Sequence, residues 1–192
     1  VDDEALIASL RRGEREAFDA AYARYRARIF GYLARLCGRR ELAEDLVQET
    51  FLRLVRFAPR LADDTRLDVW LYTVARNLYL SHLRWALVDA DRNLSAGRLA
   101  LDEAHEPSPF DMTLASELER NVERALASLP LTYRDPLVLL VVERVSADDA
   151  ARILEVSADT LRQRLSRGRK LLADAMQTPT ARGARKVVCH EG

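Results

Sequence analysis

Trp70, Thr73, Arg76, Asn77 and Arg84 fall together on one side of the segment LDVWLYTVARNLYLSHLRW, residues 67–85, when it is wound as a helix. An indole, an amide and guanidinium groups on one face suit a nucleic-acid strand whose bases have been unstacked. An amide can read the hydrogen-bonding edge of a flipped base while the cations hold phosphates. The same spacing predicts that Leu67, Leu71, Val74, Leu78 and Trp85 face a core.

A second group lies in SADDAARILEVSADTLRQRLSRGRKLL, residues 146–172. Ser146 with Asp149 caps a first helix that buries Ala151 and Leu154. Ser157 caps a second that turns Leu161, Leu165 and Leu172 inward. This is helix-turn-helix spacing. The second helix presents Asp159, Thr160, Arg162, Gln163, Ser166, Arg167 and Lys170 outward, types that hydrogen-bond base edges and phosphates from the major groove. Glu155 occupies the intervening turn, where a left-handed backbone is easiest for glycine, so a residue with a side chain is expected to adopt that conformation.

The third group sits on AEDLVQETFLRLVRF, residues 43–57. Ala43, Leu46, Val47, Phe51, Leu54, Val55 and Ala58 repeat as one buried stripe. Opposite them stand Asp45, Gln48, Glu49 and an apolar Leu52, where a merely solvated helix favours long Lys/Glu pairs. That face reads as a docking surface.

Enzyme chemistry finds no such grouping. His82, His105 and His190 belong to different elements, and neither a glycine-rich phosphate loop nor a nucleophile motif occurs. Cys37 and Cys189 lack C-x-x-C spacing, which gives no disulfide framework or zinc site and fits a reducing cytoplasm. The Cys189-His190 pair offers two ligands, too few for a metal centre. No metal or cofactor is expected.

These groups need helices to hold them, and composition supplies them. The chain has 192 residues, 31% of them charged and 7% aromatic, with alanine, leucine, arginine and glutamate recurring at helical spacing. The run LVLLVVERV, 137–145, is continuous enough for a buried helix or a strand, and its helical neighbours favour helix. Helices are expected at about 5–12, 14–37, 40–57 and 65–86, and again from near Thr113 to Leu129, then at 132–144, 147–154 and 158–176. An all-α fold of two small domains follows, with a first domain over 1–87 and a second over 114–176.

Between them, residues 88–113 lose periodicity and carry six acids against Arg92 and Arg98, a net of minus four. This stretch is expected to be a flexible acidic linker. Residues 177–192 have no amphipathic face and are expected to be a disordered tail. Thirty basic and thirty acidic residues cancel overall, so any nucleic-acid signal lies in segregation. Ser157 to Met176 has five basic residues against Asp159 and Asp174, a net of plus three. No apolar leader opens the sequence and no run approaches bilayer-spanning length, so membrane insertion is not expected.

The 43–57 string, the WL-x-x-x-ARN string at 70–77, and ALASLP at 125–130 followed by the helix-turn-helix resemble, in this order, the extracytoplasmic-function group of bacterial sigma factors. The resemblance spans nearly all of residues 3–176. It implies that Asp45, Gln48, Glu49 and Leu52 meet the clamp coiled coil of core RNA polymerase and that the second domain sits near the polymerase flap. Asn77 and its neighbours would recognise the downstream (−10) promoter element as it melts. The helix-turn-helix would read the upstream (−35) element. The linker would run through a basic channel of the polymerase. Many relatives have an anti-sigma partner, often membrane-bound, and the sequence leaves open whether one exists here.

Leu67-Asp68 replaces the family's common Phe-Arg, and Ser81 stands where an acid is frequent. Ala150 replaces a larger aliphatic residue, and Gly168 interrupts a helix at a cost of about 1 kcal/mol. The last two predict a lightly packed second domain. The runner-up reading is a free-standing helix-turn-helix repressor or activator, with 1–87 as a ligand or dimerisation domain.

Overall fold

The computed structural model describes residues 3–93 and 116–177, and among these no strand occurs. Helix α1, Asp3–Arg11, buries Leu6, Ile7 and Leu10. Gly13, at φ 76°, turns the chain into α2, Arg15–Cys37. That helix stops at Gly38, whose left-handed backbone (φ 60°) returns its N–H to the Ala34 carbonyl at 2.7 Å. Helix α3, Arg40–Phe57, leads through a 3-10 turn, Ala58–Arg60, toward α4, Leu67–Asn93.

Helices α2, α3 and α4 form the first bundle. Ile29, Leu33, Leu36, Leu54, Leu67 and Leu71 are fully enclosed between them, each contributing about 1.5–3 kcal/mol by leaving water. Helix α4 continues to Asn93, into the stretch expected to be linker. The remainder of that expected linker, 94–113, and the expected tail beyond Gln177 lie outside the described residues.

The second bundle opens at Ser116. Its hydroxyl accepts the Glu119 N–H at 3.3 Å while the Glu119 carboxylate accepts the Ser116 N–H at 2.7 Å, which starts α5, Glu117–Ser128. Helix α6, Leu131–Leu137, follows Pro130 and passes into a single π turn, Val138–Val142. The apolar run at 137–145 is therefore helical, although not regular. Pro136 lacks an N–H. Downstream, the Glu143 N–H reaches five residues back to the Val138 carbonyl at 3.0 Å. In this register the Glu143 side chain is buried.

Helix α7, Ala147–Leu154, and α8, Ala158–Gln177, complete the helix-turn-helix. Ser146 accepts the Asp149 N–H at 3.1 Å, and Ser157 accepts that of Thr160 at 3.2 Å, so both expected caps form. Glu155 takes the left-handed conformation, φ 55° and ψ 46°. The expected light packing does not hold at Gly168. A Cβ there would lie 3.1 Å from Leu137 Cδ1 and 3.2 Å from the Tyr133 carbonyl oxygen. Its missing side chain is what lets α6 lie against α8.

The two bundles share a continuous core. Leu126, Leu129, Leu137, Val138 and Leu139 join the cluster that contains Tyr32, Leu36, Tyr72 and Tyr79. The second domain thus sits on α2 and α4.

Candidate nucleic-acid interface and docking face

Helix α3 keeps its polar face free. Asp45 and Gln48 are exposed, Glu49 is half-buried with its carboxylate 3.1 Å from Arg53, and Leu52 retains 50% of its surface. Val55, expected in the stripe, is instead 52% exposed. Thr50 lies inside, its hydroxyl satisfied by the Leu46 carbonyl at 2.7 Å. A short side chain that bonds its own helix can be buried without a further partner.

Leu52 and Val55 edge a groove of about 360 Å³ together with Phe18, Asp19, Tyr22, Gln48 and Phe51. Tyr22 and Phe51 pack edge to face, ring centres 4.8 Å apart. Phe18 and Tyr22 of α2 were not visible as part of this face in the sequence. The signal available was the large aromatic Tyr22 set off the buried α2 stripe.

Helix α4 is less open than its spacing predicts. Trp70 is half-buried and stacks on Phe57 at 5.9 Å with 25° between the planes, a contact that adds about 0.5–1.5 kcal/mol to its area burial. The Thr73 hydroxyl bonds back to the Val69 carbonyl at 2.8 Å. Asn77 is half-buried, and exposed Arg84 donates to Ser81 at 3.1 Å. Trp85, expected inside, is 67% exposed, because the first bundle no longer flanks that end of α4.

Arg76 is the largest departure. Its Nε lies 2.8 Å from Asp135 Oδ2, and the two side chains are only 14% and 3% exposed. Asp135 also accepts the Tyr32 hydroxyl at 2.7 Å. Burial pushes the Asp135 carboxyl above the usual carboxylate range, although Arg76 and Tyr32 pull it down. Burial and the neighbouring Asp135 push the Tyr32 hydroxyl well above its own ordinary value.

The same pattern recurs around Glu143. Its carboxylate accepts the Tyr72 hydroxyl at 2.6 Å and lies 3.5 Å from Arg28 Nε, and Arg28 donates to the Glu143 carbonyl at 2.8 Å. Burial first, then the bond to Glu143, raise the Tyr72 hydroxyl. Tyr79, which donates to the Leu36 carbonyl at 2.9 Å, is pushed up to about 12 by burial. Asp135 and Glu143 escaped the sequence reading, although an acid inside an apolar run was the signal.

On α8 the expected face is open. Asp159, Arg162, Gln163, Ser166, Arg167 and Lys170 are exposed, whereas Thr160 is half-buried and shares its hydroxyl with Ser157 at 2.9 Å. Arg162 pairs with Asp159 at 2.6 Å. Both side chains are about three-quarters exposed, so water screens the pair and Arg162 can exchange it for another anion. Among the described residues no cluster of His, Cys, Asp and Glu is arranged to hold a metal ion, and no helix is long and apolar enough to cross a membrane.

Comparison with known proteins follows the same division. Residues 21–86 match the family model for Sigma-70 region 2, and residues 119–172 match that for Sigma-70, region 4. The RNA polymerase sigma factor CarQ of Myxococcus xanthus is 32% identical, over 86% of this chain and 92% of its own length. The RNA polymerase sigma-H factor of Pseudomonas aeruginosa is 28% identical, over 91% and 94%. In fold, the chain is similar to the sigma factor RpoE of Bartonella quintana, solved with the anti-sigma factor NepR. That match has a TM-score of 0.69 and 22% identity, and covers 84% of this chain and 97% of that one. With both regions in family order and a relative of this identity across most of its length, the chain belongs to the sigma-70 family of RNA polymerase sigma factors, in its extracytoplasmic-function group.

Proposed function

We propose that this chain is a dissociable transcription-initiation subunit that binds bacterial core RNA polymerase and directs it to a subset of promoters, as part of a stress or environmental response. It works in the cytoplasm and changes no covalent bond itself. Asp45, Gln48, Glu49 and Leu52, with the groove beside them, engage the polymerase clamp. Trp70, Thr73, Arg76, Asn77 and Arg84 act on the melting −10 element. Asp159, Thr160, Arg162, Gln163, Ser166, Arg167 and Lys170 act on the −35 element.

The observation that carries this reading is the presence, in a member of the family, of an exposed apolar-polar groove on α2 and α3 well apart in sequence from the cationic face of α8. A free-standing regulator would leave that groove unexplained. Run-off transcription with purified core polymerase and genomic fragments is the test. Specific transcripts that appear only when the chain is added support the proposal; no transcript, together with tight binding of the isolated chain to closed duplex, would replace it with the regulator.

A further inference from the structure

The C-terminal end of α4 leaves apolar surface in water. Trp85 is 67% exposed, and among the described residues no large apolar side chain is more so. Val88, one turn further on, is 45% exposed. With Ser81 and Arg84 these two line an open hollow of about 350 Å³, within the size range of pockets that hold one small ligand. Arg84 donates to the Ser81 hydroxyl at 3.1 Å. Elsewhere in the first bundle exposed arginines lie beside carboxylates, Arg40 at 2.9 Å from Glu44 and Arg53 at 3.1 Å from Glu49. Among the described residues Arg84 has no such partner, so its charge is left for an anion from outside.

We propose that Trp85 is a further promoter-contacting residue, its indole a stacking platform for one nucleobase while Arg84 holds the adjoining phosphate. The hollow continues the stripe read as the −10 surface. Asn77, Ser81, Arg84 and Val88 recur along one side of α4, with Trp85 beside them. A nucleic-acid strand supplies a π face and an anion together. A purely apolar partner would bury Arg84 unpaired, which costs more than it returns. Trp85 follows Asn77 by eight residues, about 12 Å along the helix, or roughly three to four nucleotides of stacked strand. Because α4 leads on toward the domain proposed to read the −35 element, this contact falls upstream of the one made by Asn77. Every base offers a π face, so Trp85 adds affinity without adding sequence preference.

This inference rests on the reading of α4 as a −10 surface. Its test uses holoenzyme, the full chain with purified core polymerase, on a promoter fragment recovered by run-off transcription. Trp85→Leu keeps an apolar side chain and removes the ring, and at so exposed a site it should leave thermal melting unchanged. Promoter affinity should fall about 5- to 100-fold. The slope of affinity against salt should stay the same, since no charge is lost. Trp85→Phe should restore most of the affinity, whereas Arg84→Ala should weaken binding and lower the salt slope by about 1. 2-Aminopurine placed singly along each promoter strand should be quenched at one position by the wild type and the Phe variant, and not by the Leu variant.

Equal affinity for wild type and Trp85→Leu, or a Phe variant as weak as the Leu variant, overturns the proposal. So does a Leu variant that no longer associates with core polymerase in a pull-down, because the hollow would then be a protein contact. If the wild-type chain directs no run-off transcription, the sigma-factor reading itself fails and the role of Trp85 falls with it. A transcribing wild type beside an unimpaired Leu variant removes Trp85 alone.

Discussion

Leu52 shows how much a single side chain can reveal about what a helix faces. It is half exposed at the edge of a groove, so Leu52→Glu disturbs no packed neighbour and should change stability by no more than about 0.5 kcal/mol. Association with core polymerase should nevertheless fall by at least about tenfold, roughly 1.4 kcal/mol. Thermal melting and a pull-down check the two halves. Asp135 makes a second prediction at this scale. Its carboxyl is raised by burial in the folded chain, which means that folding favours the protonated form. The contribution is therefore fully present below the ordinary aspartate value of about 4 and is lost as pH climbs through the raised one. Tyr32 from α2, Arg76 from α4 and Arg134 on its own helix face this group, and Tyr32 stays protonated throughout because its own hydroxyl is raised. Chemical denaturation measured from about pH 4 upward should show the wild-type chain losing stability relative to Asp135→Asn; parallel curves would remove Asp135 as the titrating group.

At the scale of elements, local signals carried the reading where the physics is local. Ser146 and Ser157 cap their helices as their positions indicate, and Glu155 takes the left-handed turn that its place demands. Trp85 and Val55 kept the helical period and yet lie outside, because periodicity marks a face without saying how far the neighbouring helices extend. Asp135 and Glu143 stand out in the sequence as acids beside an apolar run, but what they bind was illegible for another reason. Their partners Arg76 and Tyr72 are 59 and 71 residues away along the chain, so no local pattern announces them. Gly168 was read as a weak point, since glycine in a helix costs backbone entropy, but the contact it permits with Leu137 and Tyr133 reverses the sign. Gly168→Val should force α6 off α8 and cost about 1–3 kcal/mol in chemical denaturation. A variant as stable as the wild type would mean that α6 can shift freely.

Across the whole molecule, the two domains meet over both apolar and charged groups, and one buried thiol lies near that boundary. Cys37 is 4% exposed, donates to the Arg39 carbonyl at 3.3 Å, and has its thiol pushed up by burial. Arg134 of the second domain is close enough to act on it electrostatically. A protonated, shielded sulfur alkylates slowly, so its reaction with a maleimide is a clock for how often water reaches this corner. In a chain carrying Cys189→Ser, labelling of Cys37 should follow how often the structure opens locally around it. It should quicken by about 10- to 100-fold when Asp135→Ala and Glu143→Ala together remove two carboxylates buried where the domains meet. Equal labelling rates in wild type and variant would show that Cys37 is shielded by the first domain alone. Otherwise the thiol records, in minutes of reaction, a motion too brief and too rare for a static structure to display.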